Sequence, residues 1–160
     1  MVEELVQGPN DLLLERKLKA PRALLWLCWT TPELLMQWFC PKPWFVSECS
    51  IDLRPGGVFA TTMRGPDGEV FPNEGLYLEV VPQERLVTTD MLTRGWRPSE
   101  NPFMVAVVTF ADLPGGGTHY RALAMHRSPE DRDKHAAMGF EQGWGTAAAQ
   151  LDDLALSLTA

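Results

Sequence analysis

An alternation of apolar and polar residues with a period of two, running from about residue 45 to residue 125, constrains this chain more than any other feature. Such a period is typical of strands that bury one face. Short segments rich in Pro and Gly interrupt it at 55–57, 66–68 and 114–117, and connections this short join antiparallel neighbours. The pattern therefore predicts about six antiparallel strands, at 45–53, 58–64, 74–81, 85–92, 103–110 and 118–125.

Shorter elements are predicted ahead of this region. Residues 12–18 have the pattern of a first strand, and two short helices follow near 21–29 and 32–39. Thr31 can cap the second helix, while Pro32 occupies the first helical position, where its missing N–H costs nothing.

The last segment has the pattern of a long amphipathic helix. Ser128 suits the cap, Pro129 suits the first position, and apolar residues then recur at steps of three and four. These steps predict one helix over 129–158, roughly 45 Å long at 1.5 Å per residue. The fold class is therefore predicted to be α+β, a curved antiparallel sheet wrapped around a long carboxy-terminal helix, with two short helices after the first strand.

Length and charge exclude several classes of protein. The 160 residues suffice for one domain, and we expect a flexible arm over 1–10 and a single domain over 11–160. Because 14 basic and 21 acidic residues give a net charge of −7, nucleic acid and anionic membranes are poor partners. No run approaches the roughly eighteen apolar residues of a membrane span, and no basic segment precedes an apolar one, so neither membrane insertion nor a secretory signal is expected.

The cysteines and histidines carry no recognisable site motif. Cys28, Cys40 and Cys49 lack Cys-x-x-Cys spacing and are expected to be reduced thiols in the cytoplasm. His119 and His126 are seven residues apart on a predicted strand and so face opposite sides. We therefore expect no metal, no cofactor and no catalytic residue.

Three glycines, Gly139, Gly143 and Gly145, surround Trp144 in the predicted long helix. Each costs up to about 1 kcal/mol relative to Ala in a helix interior. They indicate either close packing of the helix on the sheet or empty volume beside the helix. The sequence leaves both interpretations open.

The strands interleave large and small apolar residues, which fits either a plain core or a cavity wall. The alternation alone does not show which of the two sets of side chains on each strand faces the helix. Tyr120, Arg16 and His126 are candidate polar groups, and Trp96 lies on a loop that could cover the cavity. The residues predicted to line a ligand cavity are Trp38, Phe59, Met63, Met91, Trp96, Met104, Tyr120, His126, Phe140 and Trp144.

Several short motifs, in order along residues 12–158, resemble those of AHSA-type proteins, the bacterial homologues of the activator of heat-shock-protein-90 ATPase. These proteins belong to the START-like superfamily, also called SRPBCC or birch-pollen-allergen-like. The resemblance implies the helix-grip fold and a hydrophobic cavity between the long helix and the sheet, and it brings no shared catalytic residues. The motifs include Trp29-Thr30-Thr31-Pro32-Glu33-Leu34, Asp52-Leu53-Arg54-Pro55-Gly56-Gly57 and Phe140-Glu141-Gln142-Gly143-Trp144-Gly145.

The leading functional hypothesis is a non-enzymatic protein that binds a small hydrophobic or amphipathic molecule in this cavity. The first alternative is an enzyme of the polyketide cyclase, aromatase or hydrolase type, for which His126, Tyr120, Asp90 and Glu79 are the acid–base candidates. The second alternative is a chaperone-associated interaction protein. A second copy of the chain, giving a homodimer, is also a candidate partner.

Overall fold

The computed structural model describes residues 6–158 of the chain, which form nine strands and four helices. The strands are β1 (Asp11–Leu18), β2 (Phe45–Ile51), β3 (Val58–Arg64), β4 (Val70–Val81), β5 (Arg85–Thr89), β6 (Leu92–Thr93), β7 (Arg97–Pro98), β8 (Met104–Asp112) and β9 (Thr118–His126). The helices are α1 (Arg22–Thr30), α2 (Pro32–Leu35), α3 (Pro129–Ala137) and α4 (Phe140–Ser157).

Seven of the strands form one antiparallel sheet in the order β1-β9-β8-β5-β4-β3-β2. The six strands predicted from the alternation are all present, and the first strand pairs with the last. The α+β fold class, with a helix gripped by a large antiparallel sheet and short helices after the first strand, is confirmed.

Some boundaries differ from the prediction. β4 begins at Val70 rather than at residue 74, and the strand predicted over 85–92 ends at Thr89, after which the small hairpin β6–β7 follows. Pro32 does occupy the first turn of α2, but the Thr31 side chain makes no capping hydrogen bond. The α2 helix also ends at Leu35, earlier than expected.

The expected arm over 1–10 lies partly outside the described residues, which begin at residue 6. Its described end is attached to the fold. The Gly8 N–H donates to Asp11 Oδ2 at 2.6 Å, and the His126 N–H donates to the Asn10 carbonyl at 3.2 Å. Asn10 therefore extends the pairing of β1 with β9 by one residue, and a turn precedes it.

The carboxy-terminal helix is divided in two, which corrects the prediction of one uninterrupted helix over 129–158. Ser128 caps α3 as expected, its side chain accepting a hydrogen bond from Asp131 N at 3.1 Å. Gly139, with φ of +90°, then interrupts the helix before α4 begins. That left-handed conformation is accessible to glycine without steric cost, so a single residue changes the direction of the chain.

The core lies between the inner face of the sheet and the helices α1 and α4. Leu25, Cys28, Leu151 and Ala155 are fully buried there. A smaller apolar cluster lies on the opposite face of the sheet and consists of Val87, Val107 and Leu123, with Leu13, Val105 and Met125 packed around them. Among residues 6–158, no helix is long and apolar enough to cross a membrane.

Candidate functional site: a cavity between the sheet and the carboxy-terminal helices

A cavity of about 460 Å³ lies between the inner face of the sheet and the junction of α3 with α4. Residues of β3, β8 and β9 form its floor, and the first turns of α4 cover it. Small side chains on the floor leave this volume open, because Ala106 and Ala122 stand where larger residues would reach the helix. Phe140, Gly143 and Trp144 face it from α4.

An aromatic wall closes one side of the cavity. The rings of Trp29 and Trp38 are 4.8 Å apart, and Phe39 lies 5.7 Å from Phe59, each pair edge to face. Both indole N–H groups are used within the wall, since Trp38 Nε1 donates to the Cys28 carbonyl at 3.0 Å and Trp29 Nε1 donates to Tyr120 Oη at 3.2 Å. The wall therefore offers the cavity mainly ring surfaces.

The helical glycines differ in what surrounds them. A Cβ atom on Gly143 would meet open space among the described residues, and Gly143 lines the cavity. A Cβ atom on Gly145 would lie 2.9 Å from the guanidinium of Arg16. Empty volume and close packing, the two interpretations open from the sequence, thus apply to different faces of one helical turn.

Tyr120 supplies a buried hydroxyl at the floor of the cavity. Burial raises the pKa of this phenol well above its usual value, although the hydrogen bond from Trp29 acts in the opposite direction. The phenol therefore stays protonated at physiological pH. Because the Trp29 N–H donates to its oxygen, the hydroxyl proton remains available as a donor.

Two histidines form a hydrogen-bonded pair beside the cavity. His126 Nε2 lies 2.9 Å from His135 Nδ1, and His126 Nδ1 lies 2.9 Å from the Asn10 carbonyl oxygen. His135 lines the cavity and is 7% exposed. Burial is the main cause that lowers the pKa of His135 to about 4, and electrostatic repulsion from His126 is a smaller cause. His135 is therefore uncharged at neutral pH.

The carboxylates at the cavity already have partners. Asp90 Oδ1 accepts hydrogen bonds from the N–H groups of Phe103 and Met104 at 2.9 and 3.0 Å. Glu74 forms an ion pair with Arg94 at 3.3 Å and accepts the Arg94 backbone N–H at 3.1 Å. No lysine or arginine of the described chain lines the cavity.

Seven of the ten residues predicted to line a cavity do lie around this one. They are Trp38, Phe59, Met63, Met104, Tyr120, Phe140 and Trp144.

Met91, Trp96 and His126 lie outside the lining. Met91 lies four residues after Val87, and Val87 packs into the cluster on the outer face of the sheet. Trp96, at the tip of the β6–β7 hairpin, is 61% exposed and lies over Gly56 rather than over the cavity. His126 lies behind His135, to which it is hydrogen-bonded, and does not itself line the cavity.

The remaining polar candidates lie outside the cavity. Arg16 forms an exposed ion pair with Glu141 at 2.9 Å, and Glu79 pairs with Arg85. Within residues 6–158, no group of three His, Cys, Asp or Glu side chains could hold a metal ion.

His135 is a polar lining residue that was not predicted from the sequence. Its position in a helix predicted to be continuous gave no sign that it would face inward. The interruption at Gly139 turns α3 so that His135 packs against Phe140 and Trp144, with ring centroids 5.1 and 5.6 Å away. Gly139, four residues after His135, was the available signal.

A curved antiparallel sheet around a carboxy-terminal helix, with an apolar cavity between them, defines the class of ligand-binding helix-grip proteins. Within that class the chain belongs to the family of Activator of Hsp90 ATPase homolog 1-like proteins, whose profile matches residues 19–155. The AHSA-type, START-like assignment made from the motifs is therefore confirmed.

Solved structures show the same fold. A protein from Nitrosomonas europaea is 44% identical over 96% of this chain and 99% of its own, with a TM-score of 0.91. A protein from Mycobacterium smegmatis is 26% identical over 91% of this chain and 90% of its own, with a TM-score of 0.76. An AHSA1-like protein from Aeromonas hydrophila, 18% identical over 93% of this chain and 94% of its own with a TM-score of 0.67, shares the fold. None of the curated proteins compared with the chain matches it.

Proposed function

We propose that this protein binds a small hydrophobic or amphipathic molecule in the cavity between the sheet and the carboxy-terminal helices. The observation that carries the proposal is the volume of about 460 Å³ with its predominantly apolar lining. Small-molecule sites are typically roughly 300–1,000 Å³, with apolar walls and a few polar groups that fix orientation.

The energetics support binding without a charged contact. A ligand that loses roughly 200 Å² of apolar surface to the cavity gains about 5 kcal/mol from burial alone, before the cost of association. The ring surfaces of Trp29, Trp38 and Trp144 supply such contacts. We also propose a cytoplasmic location, which the three free thiols support.

Filling the cavity tests the proposal. In Gly143→Leu the new side chain projects into the open space and should occupy the ligand volume. Thr146→Leu adds the same side chain at an exposed position on the same helix and serves as the control. The readout is the rise in melting temperature with a panel of neutral apolar compounds, because a ligand that prefers the native state raises it.

The expected result is a concentration-dependent rise in the wild type and in Thr146→Leu, and none in Gly143→Leu. If no compound raises the melting temperature of the wild type, or if Gly143→Leu responds as the wild type does, the cavity is not a ligand site.

An enzyme that uses the same cavity is a second candidate, favoured by one observation. Tyr120, a protonated hydroxyl, and His135, an uncharged imidazole, both line it, and these are the group types that acid–base catalysis uses. The test is to recover each bound compound after long incubation and compare its chromatographic profile with the starting material. Unchanged compounds favour the binding protein, whereas a product that Tyr120→Phe abolishes favours the enzyme.

A further inference from the structure

We propose that His135 is the polar anchor of the cavity and that its Nε2 atom accepts a hydrogen bond from the hydroxyl group of a neutral, otherwise apolar ligand. The inference rests on the proposed binding function and names the ligand chemistry that the site selects. A phenol, an enol or an aliphatic alcohol has the required O–H donor.

The hydrogen bonds of the histidine pair determine which nitrogen of His135 carries a proton. The Asn10 carbonyl can only accept, so His126 Nδ1 must donate to it across 2.9 Å. In the proposed arrangement His126 Nε2 accepts the hydrogen bond between the two rings, which places that proton on His135 Nδ1. An uncharged His135 that donates from Nδ1 has a lone pair at Nε2.

The surroundings of His135 leave that lone pair for a ligand. Within residues 6–158, Nε2 has no hydrogen-bond partner, and the residue lines the cavity. The rings of Phe103, Phe140 and Trp144 surround the imidazole with centroids 5.0, 5.1 and 5.6 Å away. These rings hold its orientation and supply no competing hydrogen-bond donor to it.

The charges around the cavity decide between a hydroxyl and an acid. A carboxylate ligand would need a cation, and no lysine or arginine of the described residues lines the cavity. Glu74 and Asp90 would repel it, and a buried anion without a partner is strongly disfavoured. An uncharged His135 offers a carboxylate no compensating charge, because burial keeps its pKa low. A neutral hydroxyl incurs none of these costs.

Three probes of matched size test the anchor in the full chain at neutral pH. They are 4-phenylphenol, 4-methoxybiphenyl and biphenyl-4-carboxylate, each titrated calorimetrically into the wild type. We expect the phenol to bind about tenfold more tightly than the methyl ether, the ratio expected for roughly one hydrogen bond. The carboxylate should bind most weakly.

The variant His135→Phe keeps a ring in place and removes the acceptor. It should bind the ether as the wild type does and lose the preference for the phenol. His119→Phe, on the other face of β9, should keep that preference. A separate measurement on the unliganded wild type, the nitrogen NMR shifts of the imidazoles, should show the Nδ1–H tautomer for His135.

The outcomes separate this inference from the proposed function. Equal binding of the phenol and the ether by the wild type, or an Nε2–H tautomer of His135, overturns the anchor while binding itself stands. The absence of binding by all three probes counts against the proposed function and removes the anchor with it.

Discussion

The two halves of α4 lie over the same sheet but differ in how completely they fill the space beneath them. In the second half, Leu151 and Ala155 are fully buried among the side chains of the main core. In the first half, Gly143 faces open space and Trp144 is only half-buried. The open end lies over the small side chains of Ala106 and Ala122, so the sheet and the helix together leave this volume unfilled.

Polar contacts follow the same division. Gln150 donates to the carbonyls of Trp38 and Cys40 at 3.0 and 2.9 Å, and Asp152 accepts the backbone N–H groups of Lys19 and Ala20 at 2.9 Å each. These bonds attach the second half of α4 to the segments on either side of α1 and α2. One half of the helix therefore anchors the fold, which allows the other half to leave a volume unfilled.

The largest effect is expected at the packed end. Leu151→Ala removes a fully buried side chain and should lower the free energy of unfolding by about 2–5 kcal/mol, through lost burial and the new cavity. Urea denaturation measures it, with Leu158→Ala at the exposed end of the helix as the control. A loss below that of the control would show that the packed end is not the anchor.

Acid should weaken the open end through His135. Its pKa is lowered to about 4 in the folded protein, from an ordinary value of 6.5. Above pH 6.5 the ring is neutral in both states, whereas between about 6.5 and 4 the unfolded chain takes up a proton that the folded chain does not. Stability should therefore fall as the pH falls through this window, by on the order of 3 kcal/mol in total.

The difference between the wild type and His135→Phe isolates this contribution from that of the other titrating groups. Denaturation curves at intervals between pH 7 and 4 should show a steeper decline for the wild type. Parallel declines would place the acid sensitivity elsewhere.

A smaller loss is expected where the helix is interrupted. Gly139→Ala forces a Cβ atom into a backbone with φ of +90° and should cost about 1–2 kcal/mol, even though a Cβ atom has open space there. Urea denaturation measures the cost. A neutral result would mean that the junction of α3 and α4 adjusts freely.

The smallest change is expected to be a gain. Gly143→Ala places a Cβ atom in open space within a helix and should stabilise the protein by about 1 kcal/mol, the difference in helix propensity. The same substitution at Gly145 should gain less, because the Arg16 guanidinium must move. Thermal unfolding of the two variants under identical conditions compares them, and equal gains would contradict the difference in their surroundings.

The fold was predictable because its signals are local and repeated. The period of two persists through six strands, and the Pro- and Gly-rich turns between them permit only antiparallel neighbours. The capping Ser128 and the first-turn Pro129 also act through their nearest neighbours, so their roles could be read directly from the chain.

The cavity was harder to predict because it depends on which face of each strand points inward. The rows containing Phe59, Met104 and Tyr120 were assigned to the inner face and do lie there. For β5 the inner row is Leu86 and Thr88, which pair with Val108 and Ala106, and not the row that contains Val87. Nothing within a five-residue strand distinguishes its two apolar rows.

The positions of His135 and Trp96 could not be predicted from the sequence, because they depend on tertiary contacts. His135 faces inward because α3 changes direction at Gly139, and a helical pattern drawn through that glycine hides the change. Trp96 lies on a hairpin whose base, Asp90 and Phe103, borders the cavity, while its tip reaches the turn at Gly56. The direction of a hairpin is set by contacts distant in sequence.

The interruption at Gly139 also has a consequence for redesign. The α4 helix starts its own hydrogen-bond series at Gly139, whose carbonyl accepts the Gly143 N–H at 2.8 Å. The only buried side chain of α3 is that of His135. Residues 129–138 thus form an exchangeable segment that lines the cavity through His135 and Met138. A library built on this segment would vary ligand preference while leaving the anchoring half of α4 and its partners untouched.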